Sequence, residues 1–256
     1  AALTAMQGII DAQATAIAAL QGNSVLDLDG VLELVIDPAT GRPTARFSSV
    51  NVQVTNGVGT TGTGNGVGNL IVGYNEQSGT TAFCSNGEYN VDQTECEAHG
   101  GIWAANQRSG SHNLVLGNGN AYSSYGGLLA GTINIANNRY VSVSGGSSNT
   151  ASGDHASVSG GAYNIASGSA SVVGGGRGNT ASGMLASVSG GGRNVANQSY
   201  SSITGGDLNT ASGNYAAVCG GRQNTASGSY ASVSGGLGRI ATGQYDWRAG
   251  ALFEEQ

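Results

Sequence analysis

The alternation of apolar and polar positions changes period twice along the chain, and each change marks a boundary. In residues 1–22, Leu3, Ile10 and Ile17 fall seven apart, with Met6, Gln13 and Leu20 as the companion series. That is three heptads with positions a and d filled, one d position being polar. Ile at a with Leu at d favours two strands, but Ile9 and Ala16 at g with Ala14 at e widen the seam towards three. Three heptads do not hold alone. The expectation is the end of a trimeric coiled-coil stalk, the alternative an amphipathic helix packed on its own domain. A ring of three Gln13 amides on the axis would bind an anion such as chloride, or only set the register.

Residues 23–65 switch to a period of two. Runs 31–36 and 44–47 alternate around a turn at 37–42 containing Pro38 and Gly41, which predicts a β-hairpin, with a third strand over 50–54. Gly22 and Asn23 are placed to end the helix. Asp27-Leu28-Asp29-Gly30 has the look of a calcium loop but lacks the downstream ligands, so it is read as a turn. The glycine-rich run 55–68 contains no lysine and precedes no helix, which excludes a phosphate loop. The segment reads as a small β neck between stalk and head.

From residue 111 to 245 the chain repeats itself. Asn134, Asn149, Asn164, Asn179, Asn194, Asn209 and Asn224 are spaced 15 apart, and Arg239 takes the next place. Tyr125, Tyr140, His155, Ala170, Leu185, Tyr200, Tyr215, Tyr230 and Tyr245 form another column. A third holds Leu128, Val143, Val158, Val173, Val188, Ile203, Val218 and Val233. The unit approximates SVSGGxxNTASGxYA, with two short strand-like runs, each followed by a glycine corner. Val and the Thr/Ile of NTAS are expected to face inward and Ser outward, with Gly and Asn supplying the positive-φ bends. Successive coils would stack like residues about 4.8 Å apart. The prediction is an all-β parallel β-roll or β-solenoid of 15-residue coils. Its interior of Ala, Val and Thr is thin for one chain. Burying a further face against two copies would supply the missing contact, and the stalk makes the same demand independently.

Composition narrows the function classes. Glycine supplies 46 of 256 residues, charged residues 9%, and the net charge is −6 with every basic residue an arginine. There is no basic stripe for nucleic acid, no polybasic segment, no run of 18 apolar residues and no signal peptide. Because the chain begins inside a helical pattern, it reads as a segment of a longer protein. No cofactor and no metal site is expected, and no membrane insertion by this segment. Cys84 and Cys96 lie close together in a polar insertion and are expected to form a disulfide, as suits an exported protein; two free thiols are the alternative. Cys219 replaces a repeat serine and is expected to be a small, half-buried thiol.

The SVSGGxxNTASGxYA units, with NLIVG (residues 69–73) and NLVLG (residues 113–117), resemble the head repeats of trimeric autotransporter adhesins of the YadA-like kind. The resemblance covers about residues 66–75 and 111–245, and the stalk agrees with it. It implies a left-handed parallel β-roll, three rolls side by side, an extracellular, cell-surface location and an adhesive function. The family's repeats are nearer 14 residues, and its membrane-anchoring barrel has no counterpart here. With the stalk first and the head last, the order is more similar to fibre-tip adhesins of predatory bacteria or phage tail fibres.

Recognition is expected on unrepetitive segments carried by the rigid scaffold. Residues 66–110 combine a first coil with an insertion containing Tyr89, Trp103 and Arg108, where a glycan or another envelope component of a target cell would find an aromatic platform and hydrogen-bonding groups; the alternative is a clasp on a neighbouring chain. Residues 246–256, with Trp247 and Arg248, are expected to cap the last coil and offer a second candidate surface. The Tyr column is read as packing. No catalytic residue is assigned: His99, His112 and His155 share no motif, and Asp154 and Asp207 are three to four coils apart. A solenoid enzyme acting on polysaccharide, like a tail-spike glycosidase, would need two acids within several ångströms. A purely structural fibre segment also fits. An ice-binding array would need an unbroken Thr column, which Ile165, Val195 and Ile240 interrupt.

Overall fold

The computed structural model describes residues 2–21, 30–75, 82–84, 92–99, 102–105 and 107–250. The chain divides into two compact units, Ala1–Gln53 and Val54–Gln256.

In the first unit, helix α1 (Ala2–Gln21) covers the heptad segment. Strands β1 (Leu32–Ile36) and β2 (Pro43–Phe47) pair antiparallel, Leu32 opposite Phe47 and Ile36 opposite Pro43. Asp37 closes the turn between them, its carboxylate accepting from the Ala39 amide at 2.9 Å and the Thr40 hydroxyl at 2.8 Å. Those bonds, led by the Ala39 amide, hold its pKa below the ordinary carboxylate value. The third strand expected over 50–54 is absent: Val50, Val52 and Val54 are exposed and unpaired. Alternation marks a strand only where an edge is available to pair with it. Gly22, Asn23 and Asp27–Asp29 lie outside the described residues.

The second unit is a parallel β-solenoid of about nine turns. One face is a sheet of 11 strands and the other a sheet of nine, every pair parallel. It begins at β3 (Leu70–Val72), which pairs with Leu114–Asn118 across the insertion. Most later strands are only two residues long. Ser142 and Val143 pair with Ser157 and Val158, and Thr150 and Ala151 with Ile165 and Ala166. A third ladder of single bridges, Ser147 to Ala162 to Arg177 and on to Leu237, runs along the corner between them. From Ser142 onward each coil repeats its predecessor 15 residues on, as the sequence pattern requires, whereas the first coils repeat after 14, with Leu114 beside Leu128 and Ala121 beside Ile135.

The core is narrower than the pattern suggests. Val143, Val158, Val173, Val188, Ile203, Val218 and Val233 face inward as expected, against Ala136, Ala151, Ala166, Ala181, Ala196, Ala211, Ala226 and Ala241. The Thr/Ile column faces outward instead, with Ile165 and Ile240 exposed. Opposite a Val there is room only for Ala, and the pleat then turns the preceding residue to solvent. At the first coils Leu129, not Leu128, fills the Val column: Leu129 pairs with Val143 and is fully buried. An extra residue at Gly126–Gly127 shifts that segment by one position. The solenoid also continues past residue 245, because Trp247 and Arg248 pair with Ser232 and Val233. Residues 251–256, the rest of the expected cap, lie outside the described residues.

The asparagines do not provide the positive-φ bends. Those fall on the residue before each Asn (Ser148 at 57°, Tyr163 at 58°, Leu208 at 58°) and on the Tyr column, from Ala170 at 53° to Tyr245 at 61°. The Asn side chains are instead wholly buried and hydrogen-bonded from coil to coil. Asn179 Oδ1 accepts from the Asn194 amide at 3.0 Å, and its Nδ2 donates to the Gly175 and Gly191 carbonyls at 2.9 Å each. The same three bonds recur at Asn149, Asn164, Asn194, Asn209 and Asn224, with Arg239 supplying the last amide.

Candidate functional site

The insertion is a small, cross-linked unit. Strands β4 (Ala82–Cys84) and β5 (Trp103–Ala105) pair antiparallel with Cys84 opposite Trp103. A short helix α2 (Gln93–Ala98) is capped by Asp92, whose side chain accepts from the Glu95 amide. The expected disulfide joins Cys84 to Cys96 and ties α2 to β4.

Trp103 is half-buried in this hairpin. Arg108 turns towards the solenoid: its backbone bridges Tyr122, and its Nε and Nη2 are buried with no hydrogen-bond partner among the described residues. Tyr122 fills the place taken by Ala in later coils, and its burial pushes the phenol pKa up, opposed by the Arg108 charge. These two nitrogens of Arg108 are therefore withdrawn from solvent rather than presented beside Trp103. Tyr89 lies outside the described residues.

At the far end, Trp247 is exposed and its indole Nε1 donates to Ser234 Oγ at 2.9 Å. Arg248 pairs with Asp246 at 3.3 Å. Gln13 lies on the exposed surface of α1.

The Tyr column packs on itself at the surface. Tyr200, Tyr215, Tyr230 and Tyr245 are 42–69% exposed, with consecutive ring centroids 4.6, 4.9 and 5.1 Å apart and nearly parallel. The rings stack on one another along the outside, one coil spacing apart. Further up the same column Tyr140 stacks on His155, and Asp154 sits between Arg139 at 2.8 Å and His155 at 3.2 Å. The hydrogen bond from Arg139 is the main reason the Asp154 pKa is lowered.

Cys219, expected half-buried, is exposed. It follows the inward Val218 in the outward phase of the strand. Native protein should therefore react with an aromatic disulfide reagent to one thiol per chain without denaturant, and a reaction that waits for unfolding would contradict this placement.

A further constellation escaped the sequence reading. Where the corner ladder passes Arg177, Gly192, Asp207 and Arg222, a cleft of about 690 Å³ opens, lined by Tyr163, Arg177, Gly178, Gly192, Arg193 and Asp207. The Arg177 guanidinium lies over the Tyr163 ring, 5.7 Å from its centroid. Arg193 Nη2 donates to both Asp207 carboxylate oxygens at 3.0 Å, and Arg222 approaches the same carboxylate at 3.5 Å. The two glycines leave the gap: a Cβ on Gly192 would stand 2.9 Å from Asp207 Oδ1. The signal was present in the repeat grid, since the two variable places before Asn hold Arg177, Arg193, Asp207 and Arg222 in four successive coils.

Comparison with protein-family models and with curated proteins gives no match.

Proposed function

We propose that the chain is the head of a homotrimeric, extracellular surface fibre that adheres to a target cell, a binding and structural module without catalytic activity. The observation that carries this reading is the exposed apolar face of α1. Leu3, Met6, Ile9, Ile10 and Ile17 are 51–84% exposed. A helix of 20 residues with these side chains in water is marginal, and a parallel bundle of three copies would bury them at a, d and g. On the solenoid, Ile165 and Ile240 point outward from the nine-stranded sheet and Val172 from the 11-stranded sheet, further apolar positions for partner copies to cover. The Cys84–Cys96 disulfide agrees with an exported protein. The resemblance of the repeats to YadA-like heads supplies the adhesive role, and a glycan or other envelope component is the ligand class it points to.

Light scattering behind a sizing column tests the assembly. A mass about three times the 25.2 kDa chain is expected, falling to the single-chain value in Ile10→Asn/Ile17→Asn. A wild-type monomer at micromolar concentration would overturn the trimer. Adhesion is read separately, as retention of labelled head on whole target cells.

A further inference from the structure

We propose that the corner cleft between Tyr163 and Asp207 binds an acidic saccharide, with the sugar's carboxylate on Arg177 and its hydroxyls on the Arg193–Asp207 pair. The inference rests on the adhesive reading only for its biological meaning; the chemistry stands on the cleft.

Charge is the first reason. Arg193 and Arg222 pair with one carboxylate, Asp207, and Arg177 lines the same cleft, leaving an excess of two positive charges on a chain whose net charge is −6. Asp207 is already engaged by Arg193 and Arg222. Among the described residues Arg177 has no acidic partner, and the exposed Tyr163 ring holds its guanidinium in place. A planar, fixed guanidinium fits a carboxylate through two parallel hydrogen bonds.

The neighbouring groups decide what carries that carboxylate. The Arg193–Asp207 pair presents N–H donors beside carboxylate acceptors, a mixed edge that suits vicinal hydroxyls, which donate and accept at once. The volume of about 690 Å³ lies within the range of small-molecule sites and fits one or two sugar rings. A nucleic acid would meet a net-negative protein with no further basic stripe.

The repeat itself supplies a variant that blocks the cleft without straining the fold. Gly178 has φ +67°, and the same place in other coils holds Tyr163, Arg193 and Leu208 at 53–58°. A Cβ on Gly178 would meet only Arg193 Cγ, at 3.6 Å. Gly178→Leu therefore copies what the next-but-one coil already does and fills the gap with a side chain.

The test is retention of the intact head on an array of matched acidic and neutral oligosaccharides: oligogalacturonate against its methyl ester, and sialyllactose against lactose. Wild type is expected to retain at least one acidic member about tenfold above its neutral partner. Arg177→Gln should remove that preference, Arg177→Lys should keep part of it, and Gly178→Leu should abolish binding with an unchanged melting curve. Equal retention of acidic and neutral members, or undiminished binding by Arg177→Gln and Gly178→Leu, would overturn the site. Displacement by equimolar inorganic sulfate would overturn the saccharide part and leave a bare anion site. The same samples are weighed by light scattering. A monomer that still selects acidic sugars would refute the trimeric fibre alone, whereas a trimer that adheres to cells but ignores acidic sugars would refute the cleft alone.

Discussion

Asn179→Ala is expected to destabilise the solenoid by about 3–5 kcal/mol, because it strands three buried polar groups at once. The Asn194 amide loses its acceptor, and the Gly175 and Gly191 carbonyls lose a donor. Nothing in the fully buried column can replace them, and the coil is too tightly stacked for water to enter readily. In a solenoid each coil is stabilised mainly by its two neighbours, so a break in the middle uncouples the halves. The expected result is a lower unfolding midpoint, with a second transition visible by circular dichroism. Asn179→Asp keeps the shape and the acceptor but buries a carboxyl. Burial raises its folded pKa above the unfolded value of about 4, so its stability is greatest in acid and falls as pH rises through the folded pKa. A loss under about 1 kcal/mol for Asn179→Ala would mean that the ladder is not what holds the coils together.

The second large effect separates two adjacent glycines. Gly161→Ala is expected to cost upwards of about 4 kcal/mol. Its backbone sits at φ +81°, and an added Cβ would overlap the Gly176 carbonyl oxygen of the next coil and lie 2.8 Å from Asn164 Nδ2. Neither neighbour can yield, since both are backbone or ladder groups. Gly160→Ala, one residue earlier, meets nothing within 4 Å and should change stability by less than about 0.5 kcal/mol. Thermal melts of the two variants settle the matter, and similar losses in both would refute the stacking geometry at this corner. The contrast shows what the high glycine content is for. The second glycine of each SVSGG unit lets one coil lie directly on the next, while the first is a surface residue.

Several features could be read from the residues alone. The 15-residue spacing of the Asn, Val and Tyr columns implies that residue i lies over residue i+15, and the pairing of Ser142 with Ser157 and Val158 with Val173 follows that rule. The heptads marked α1, the alternation around Asp37 marked the hairpin, and the short separation of Cys84 and Cys96 marked the disulfide. Period alone is enough for these, since each depends on contacts that recur at one sequence separation. The insertion was legible as an interruption of the repeat, but the placement of Arg108 was not, because its pairing with Tyr122 exists only once the coils stack.

The rest was decided by distances between coils. In a two-residue strand either residue can face inward, and Thr150 and Ala151 are equally admissible until the opposing Val sets the width of the core. Asn favours a left-handed bend in isolation, yet here its amide is worth more as a buried bridge to the coils on either side, and the bend passes to residues such as Tyr163 and Tyr200. The Tyr column is regular in sequence, but its outward direction follows from that left-handed backbone. The cleft beside Arg177 is assembled from residues 14 or 15 positions apart and from two missing side chains, Gly178 and Gly192. The sequence by itself determined the repeat, its period and therefore its parallel stacking. Only the tertiary structure decided which residue of each NTAS run points inward and where the Asn and Tyr side chains go, because that choice is made by the space the neighbouring coils leave.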